Sequence, residues 1–141
     1  MTNTMPRLQD VQVGNSLGSR TFEPSNVSLF LYNAAIWNPH RIHFDEPYAT
    51  QVEKHAGIVV DGPLQGDWLS QVVTDWAGKY GELLELEYSN RRAAFVGERL
   101  HTGGTVTAVD QATGHVEVDI HLKNTNGEVI APGRALVQFH D

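Results

Sequence analysis

The chain has 141 residues, with 10 Lys and Arg against 17 Asp and Glu for a formal charge of −7, no cysteine and 40% hydrophobic residues. This length predicts one domain that buries about two-thirds of its unfolded surface, and the lack of cysteine excludes a disulfide scaffold and a cysteine zinc site. The acidic balance argues against nucleic-acid binding, and neither a membrane-spanning apolar run nor a signal-peptide pattern is present, so we expect a cytoplasmic protein with small-molecule or protein partners.

The N-terminal part of the chain predicts short elements. Residues 1–10 form a loose lead-in, and 11–23 form one or two short strands interrupted by glycines. A helix begins at Ser25 or Asn26, because either residue can cap it, and ends before Pro39. Its expected apolar face consists of Val27, Leu29, Phe30 and Leu31.

A polar loop separates this helix from the next. Residues 37–44 have neither helical nor strand periodicity, and a loop between apolar elements is a common place for function. Asp45 then caps a second helix over residues 45–55.

The segment 58–80 is the most informative for architecture. A short apolar run at 58–60 and a turn at 61–63 precede a series of apolar residues at helical spacing, which are Leu64, Trp68, Leu69, Val72, Val73 and Trp76. Such a helix is apolar around much of its circumference, so another element must wrap it. Both tryptophans are expected in the core.

The remaining sequence supplies that element as strands. These are 83–88, 93–100, 105–109, 116–122 and 129–139, with hairpin turns at 110–114 and 124–127. In 116–122 the apolar residues alternate strictly with polar ones. The expected fold is α+β, with an antiparallel sheet wrapped around a long central helix in one domain over residues 1–141.

Three segments carry a family resemblance: NPHRIHFD at 38–45, GIVVDGPLQ at 57–65 and FVGERL at 95–100. Together they resemble MaoC-like hot dog dehydratases and hydratases. The most similar branch contains the mitochondrial type 2 hydroxyacyl-thioester dehydratases and the mesaconyl-CoA hydratases, whose loop pattern is N-x-H-R-I-H-x-D-x-P-Y-A. The resemblance implies a hot dog fold that adds or removes water across C2–C3 of an acyl thioester. Coenzyme A or acyl carrier protein would be part of the substrate, with no further cofactor and no metal.

This reaction needs a base for the proton on C2, a positioned water at C3 and stabilisation of the thioester oxygen. The resemblance assigns the base to His43, because an imidazole accepts and returns protons at neutral pH. The wider family pattern D-x-N-P-x-H-x-D has aspartate where this chain has Asn38, and an amide cannot take a proton. Two accounts are open: His43 performs both transfers while Asn38 orients the water, or another nearby acid completes the pair. The first is favoured, since the most similar branch also has asparagine there. Without the resemblance, a purely structural role for Asn38 in the turn before Pro39 would be favoured.

Backbone N–H groups at the start of the central helix are the expected donors to the thioester oxygen. Pro63 has no N–H, which leaves Gly62 and Leu64. Asp61 stands where relatives usually have histidine, and it is expected to cap this helix or, alternatively, to select the substrate.

Other polar residues have two interpretations each. His40 contacts substrate or lies free on the loop. Arg41 meets a phosphate or a second substrate carboxylate, or, as favoured, ties the loop to Asp45 or Glu46. Arg91 and Arg92 are the candidates for the phosphates of coenzyme A, or else are solvated.

Two rival functions remain from the sequence. A hot dog thioesterase would use a carboxylate on the central helix, Asp67 or Asp75. A non-catalytic subunit would pair with an active partner chain, which the asparagine at position 38 favours. The histidines on the strands have no metal-ligand spacing; these are His101, His115, His121 and His140. A single hot dog sheet leaves an edge and a face to cover, so a homodimer is expected.

Overall fold

The computed structural model describes residues 5–140, so the first four residues of the expected lead-in lie outside the described residues. The helices are α1 at Asn26–Ile36 and α2 at Gly62–Ala77. The strands are β1 at Arg20–Phe22, β2 at Gly81–Tyr88, β3 at Leu100–Asp110, β4 at His115–Asn124 and β5 at Val129–Phe139. Short helical turns lie at Leu8–Asp10, Arg41–His43, Tyr48–Val52 and Gly78–Tyr80.

The five strands form one antiparallel sheet in the order β1-β3-β4-β5-β2. The central strand β4 has the expected alternation, because its apolar side chains are all buried: Val116, Val118, Ile120 and Leu122. The turns that precede and follow β4 are those expected from the sequence.

Helix α2 lies against this sheet and contacts β2, β3, β4 and β5. Trp68 stacks on Phe22 with ring centroids 4.5 Å apart, and Trp76 meets Phe139 edge-on at 5.3 Å. Both tryptophans are buried, as expected, and burial of each such side chain contributes about 1.5–3 kcal/mol. The α+β arrangement of a sheet around a long helix is therefore confirmed. Within residues 5–140, no helix is both long and apolar enough to span a bilayer.

The expected strand at 93–100 is wrong. Residues 100–110 form one continuous strand, β3, and the preceding segment lies outside the sheet. The backbone of 93–99 bonds to the apolar run at 58–60 instead: Val60 N donates to Ala94 O at 2.8 Å, and Val96 N donates to Ile58 O at 3.0 Å. This segment therefore pairs with the run that precedes α2 rather than with the sheet.

Two expectations about the N-terminal helices also need correction. Ser25 caps α1 as expected, since its Oγ accepts from Ser28 N at 3.1 Å. However, the expected apolar face is largely in solvent: Val27, Phe30 and Leu31 are 61–67% exposed, and only Leu29 of that set is buried. The second helix is shorter than expected, because its last turn ends at Val52 rather than at 55.

Candidate active site

A cleft of about 320 Å³ opens beside the N-terminus of α2. Its wall combines segments that are far apart in sequence: the loop before Phe44, the run at 58–60, the first turn of α2 and the chain that follows β2. The polar residues of the wall are His43, Gly62, Gln65, Asn90, Arg91 and Arg92.

His43 lies in this wall with 8% of its surface exposed. Its Nδ1 is 2.7 Å from the carbonyl oxygen of Val59. Because a carbonyl oxygen only accepts, Nδ1 carries the hydrogen, and this contact assigns the tautomer. The other ring nitrogen, Nε2, is therefore the one available for proton transfer, and it lies 3.4 Å from Oδ2 of Asp61.

Asp61 is fully buried immediately before α2. The expected cap is wrong, since its side chain makes no capping hydrogen bond. Its carboxylate turns instead toward two amides: Asn33 Nδ2 donates to Oδ1 at 2.9 Å, and Asn38 Nδ2 donates to Oδ2 at 3.2 Å. A buried carboxylate needs such donors, and here they come from α1 and the polar loop. The structure thus places a buried carboxylate beside the His43 imidazole.

Asn38 has both ends of its amide occupied. Besides donating to Asp61, its Oδ1 accepts from His40 N at 3.1 Å, so Asn38 also shapes the turn around Pro39. Asn33 is a site residue that sequence reasoning missed. It is buried on α1, where Nδ2 also donates to Leu29 O at 2.8 Å. The available signal was the spacing: Asn33 follows Leu29 by four residues, so the two side chains lie on the same face of α1.

The first turn of α2 presents Gly62 to the cleft, while Leu64 packs against the core and is not part of the cleft wall. The first N–H groups of a helix have no intrahelical acceptor, and the helix dipole is positive at this end. The Asn90 side chain packs directly against Gly62, because a Cβ at this position would collide with the Asn90 amide.

The loop residues Arg41 and Asp45 stabilise each other. Arg41 Nη2 lies 2.7 Å from Asp45 Oδ2, and the guanidinium covers the Tyr48 ring. Asp45 Oδ1 accepts from Tyr48 N at 3.1 Å, which is the expected cap, and the Arg41 hydrogen bond holds the pKa of Asp45 below its usual value. His40 is exposed and meets the His43 ring edge-on at 5.6 Å.

Arg91 and Arg92 lie exposed at the rim of the cleft. Arg91 Nε donates to Ser89 Oγ at 3.1 Å, and Arg92 pairs with Glu128 at 3.3 Å. Both guanidinium groups therefore stand where an anionic part of a ligand could reach them.

The carboxylates of the thioesterase alternative lie outside the cleft wall. Asp67 accepts from the Tyr32 hydroxyl at 3.4 Å, and Asp75 pairs with Arg20 at 2.8 Å. Burial, together with the nearby Asp67 and Asp61, raises the pKa of Tyr32 to about 12. Among residues 5–140, no group of three or more His, Asp or Glu side chains is arranged to hold a metal ion.

Comparison with known proteins identifies the family. Residues 3–96 match the family model described as hydroxyacyl-thioester dehydratase type 2. The chain belongs to this family. Over 46 residues it is 48% identical to the mesaconyl-C(4)-CoA hydratase of Chloroflexus aurantiacus, and this segment is 33% of the chain and 16% of that protein. The match thus spans much less than two thirds of that relative's length.

Solved structures confirm the hot dog fold of this type 2 dehydratase family member. The (R)-hydratase from A. caviae involved in PHA biosynthesis superimposes with a TM-score of 0.85 at 19% identity, covering 94% of this chain and 99% of that one. A MaoC-like dehydratase superimposes with a TM-score of 0.86 at 21% identity, covering 96% of this chain but 43% of that one. The second protein is therefore more than twice as long as the part that resembles this chain.

Proposed function

We propose that this chain adds water to, and removes water from, the C2–C3 bond of an acyl thioester carried on coenzyme A or acyl carrier protein. The observation that carries the proposal is the His43–Asp61 pair beside the N-terminus of α2, where His43 lines the cleft. Membership of the type 2 hydroxyacyl-thioester dehydratase family supports the same reaction.

Proton transfer belongs to His43 in this proposal. Nε2 accepts a proton from water as the water oxygen bonds to C3, and the π electrons of C2=C3 move toward the thioester. The resulting imidazolium then donates a proton to C2, and dehydration is the reverse. Asp61 is fully buried and outside the cleft wall, so it acts through His43 by stabilising the imidazolium. The 3.4 Å separation of Nε2 and Oδ2 suits an ion pair once the imidazole is protonated.

The enolate oxygen is assigned to the N–H of Gly62. A donor at a helix N-terminus stabilises the developing negative charge, and loss of one such donor costs about 10²-fold or more in rate. Asn38 is assigned to holding Asp61, to which its Nδ2 donates. The phosphates of coenzyme A are assigned to Arg91 and Arg92, whereas Arg41 and His40 shape the loop.

The test is the loss of enoyl absorbance when the purified chain meets a panel of 2-enoyl-CoA thioesters, including dicarboxylic ones. The wild type should hydrate at least one of them, and His43→Ala should be slower by about 10²-fold or more. Asp67→Asn is the matched control and should retain full activity, because Asp67 lies outside the cleft wall. Release of free thiol without hydration, abolished by Asp67→Asn, would replace this proposal with the thioesterase.

We also infer that the chain acts as a homodimer in the cytoplasm and serves fatty acid metabolism. Two features support self-association: β2 is an edge strand of the sheet, and a large apolar surface of Phe30, Trp37 and Phe44 lies exposed next to Asn33 and Asn38. Light scattering should give a mass near twice the 15.6 kDa of one chain. A monomer that becomes active only with a second, different chain would contradict the homodimer.

A further inference from the structure

Gln65 is a buried polar residue that the proposed chemistry does not use. It follows Asp61 by one turn of α2, is only 2% exposed, and lines the same cleft as His43 and Gly62. A polar side chain at such a position needs hydrogen-bond partners from the protein or from a ligand.

The protein satisfies only one end of this amide. Gln65 Nε2 donates to Val60 O over a long 3.4 Å, whereas Oε1 is buried and has no hydrogen-bond partner among residues 5–140. Because the carbonyl of Val60 can only accept, the amino group is the end that faces it, which leaves the oxygen unpaired. Native proteins keep few such atoms, so this one needs an explanation. Gln65 lines the cleft, from which a bound molecule could supply the donor.

The substrate class limits what that donor can be. The enoyl thioester has no N–H or O–H on its first three carbons, whereas the attacking water and the 3-hydroxyl of the product both carry O–H. The amide N–H groups of the pantetheine arm are the other donors. Gln65 shares its cleft with His43, which handles protons at C2 and C3, so the oxygen at C3 fits its position best.

We propose that Gln65 Oε1 accepts a hydrogen bond from the oxygen at C3, which is water during hydration and the 3-hydroxyl during dehydration. Gln65 is then the residue that distinguishes 3-hydroxyacyl thioesters from saturated acyl thioesters. This inference rests on the proposed hydratase function and adds a specificity determinant to it.

The test compares the binding of 3-hydroxybutyryl-CoA and butyryl-CoA by titration calorimetry. All proteins carry His43→Ala to stop turnover, and Gln65→Met is compared with Gln71→Met on the same helix but outside the cleft wall. Methionine has a similar length and no acceptor of comparable strength. Gln65→Met should weaken 3-hydroxybutyryl-CoA binding about tenfold and change butyryl-CoA binding by less than about twofold, while Gln71→Met changes neither.

Equal loss for both ligands would overturn the proposal and assign Gln65 to the pantetheine arm. Unchanged binding of both would overturn it as well. The melting temperature of Gln65→Met should not fall, because an unpaired buried polar group is replaced by an apolar one. Because binding is measured separately from turnover, an inactive wild type rejects the proposed function, whereas equal or absent losses in binding overturn this inference alone.

Discussion

Nε2 of His43 lies 3.4 Å from Oδ2 of Asp61, and the two residues reach each other from different elements, the turn at 41–43 and the start of α2. The Val59 carbonyl holds the opposite side of the imidazole, and two asparagines hold the carboxylate. In the D-x-N-P-x-H-x-D pattern of the wider MaoC-like family, aspartate stands where this chain has Asn38. In this chain the carboxylate next to the histidine comes from position 61 instead.

Exchanging the amide and the carboxylate tests this relocation. Asp61→Asn should lower hydration by about 10²-fold, because the imidazolium loses its counter-charge. Asn38→Asp combined with Asp61→Asn should recover part of the rate, since Asn38 and Asp61 are in direct contact at 3.2 Å and the charge returns to the cluster. Rates are read from enoyl absorbance. A double variant slower than Asp61→Asn alone would count against a shared carboxylate position.

Asn33 should stabilise the fold through Asp61. Asn33→Leu keeps most of the side-chain volume but leaves Oδ1 of a buried carboxylate without its donor, and we expect a loss of about 1.5–3 kcal/mol in the free energy of unfolding. Asn26→Leu, on the exposed start of the same helix, should stay within about 0.5 kcal/mol. Urea unfolding followed by circular dichroism measures both, and equal stabilities would contradict the role given to Asn33.

Arg91 should recognise phosphate rather than the acyl group. Arg91→Ala should raise the KM for crotonyl-CoA by about three- to tenfold, a modest effect because the guanidinium is exposed. The KM for the corresponding pantetheine thioester, which lacks the nucleotide phosphates, should not change. Arg99→Ala is the control, since Arg99 pairs with Glu23 and is not part of the cleft wall. An equal rise for both substrates would remove Arg91 from phosphate binding.

Gly66 should be required by the packing of α2 against β2. A helical glycine usually tolerates alanine, but a Cβ at Gly66 would overlap the Tyr88 ring. Gly66→Ala should therefore lower the free energy of unfolding by about 1–3 kcal/mol. Gly57→Ala, where a Cβ meets nothing within 4 Å, should be close to neutral. Thermal unfolding distinguishes the two, and a Gly66→Ala variant as stable as Gly57→Ala would show that Tyr88 moves aside freely.

The spacing of apolar residues in the sequence predicted the central helix and the central strand of the sheet. Strand β4 and helix α2 match their expected spans closely, because in each the apolar period decides which face is buried. The segment at 93–100 has strand-like residues too, yet its partner is the run at 58–60, and no local pattern distinguishes that pairing from a place in the sheet.

Only some of the site residues could be predicted from the sequence. His43 and Asn38 came from the resemblance, Gly62 came from its place at the start of the central helix, and His43 and Gly62 share the cleft wall. Asp61 looked like a helix cap, because an aspartate before Gly-Pro favours that role locally. Its actual partners come from α1 and the loop, so only the tertiary structure shows them.

Isotope incorporation tests the central claim most directly. Purified wild-type chain is incubated with crotonyl-CoA in deuterated water enriched in ¹⁸O, and the thioester product is analysed by mass spectrometry. The proposed chemistry predicts one ¹⁸O at C3 and one deuterium at C2, with both incorporated about 10²-fold more slowly by His43→Ala. Intact substrate without either label, or free coenzyme A with an unlabelled C2–C3 bond, would contradict it.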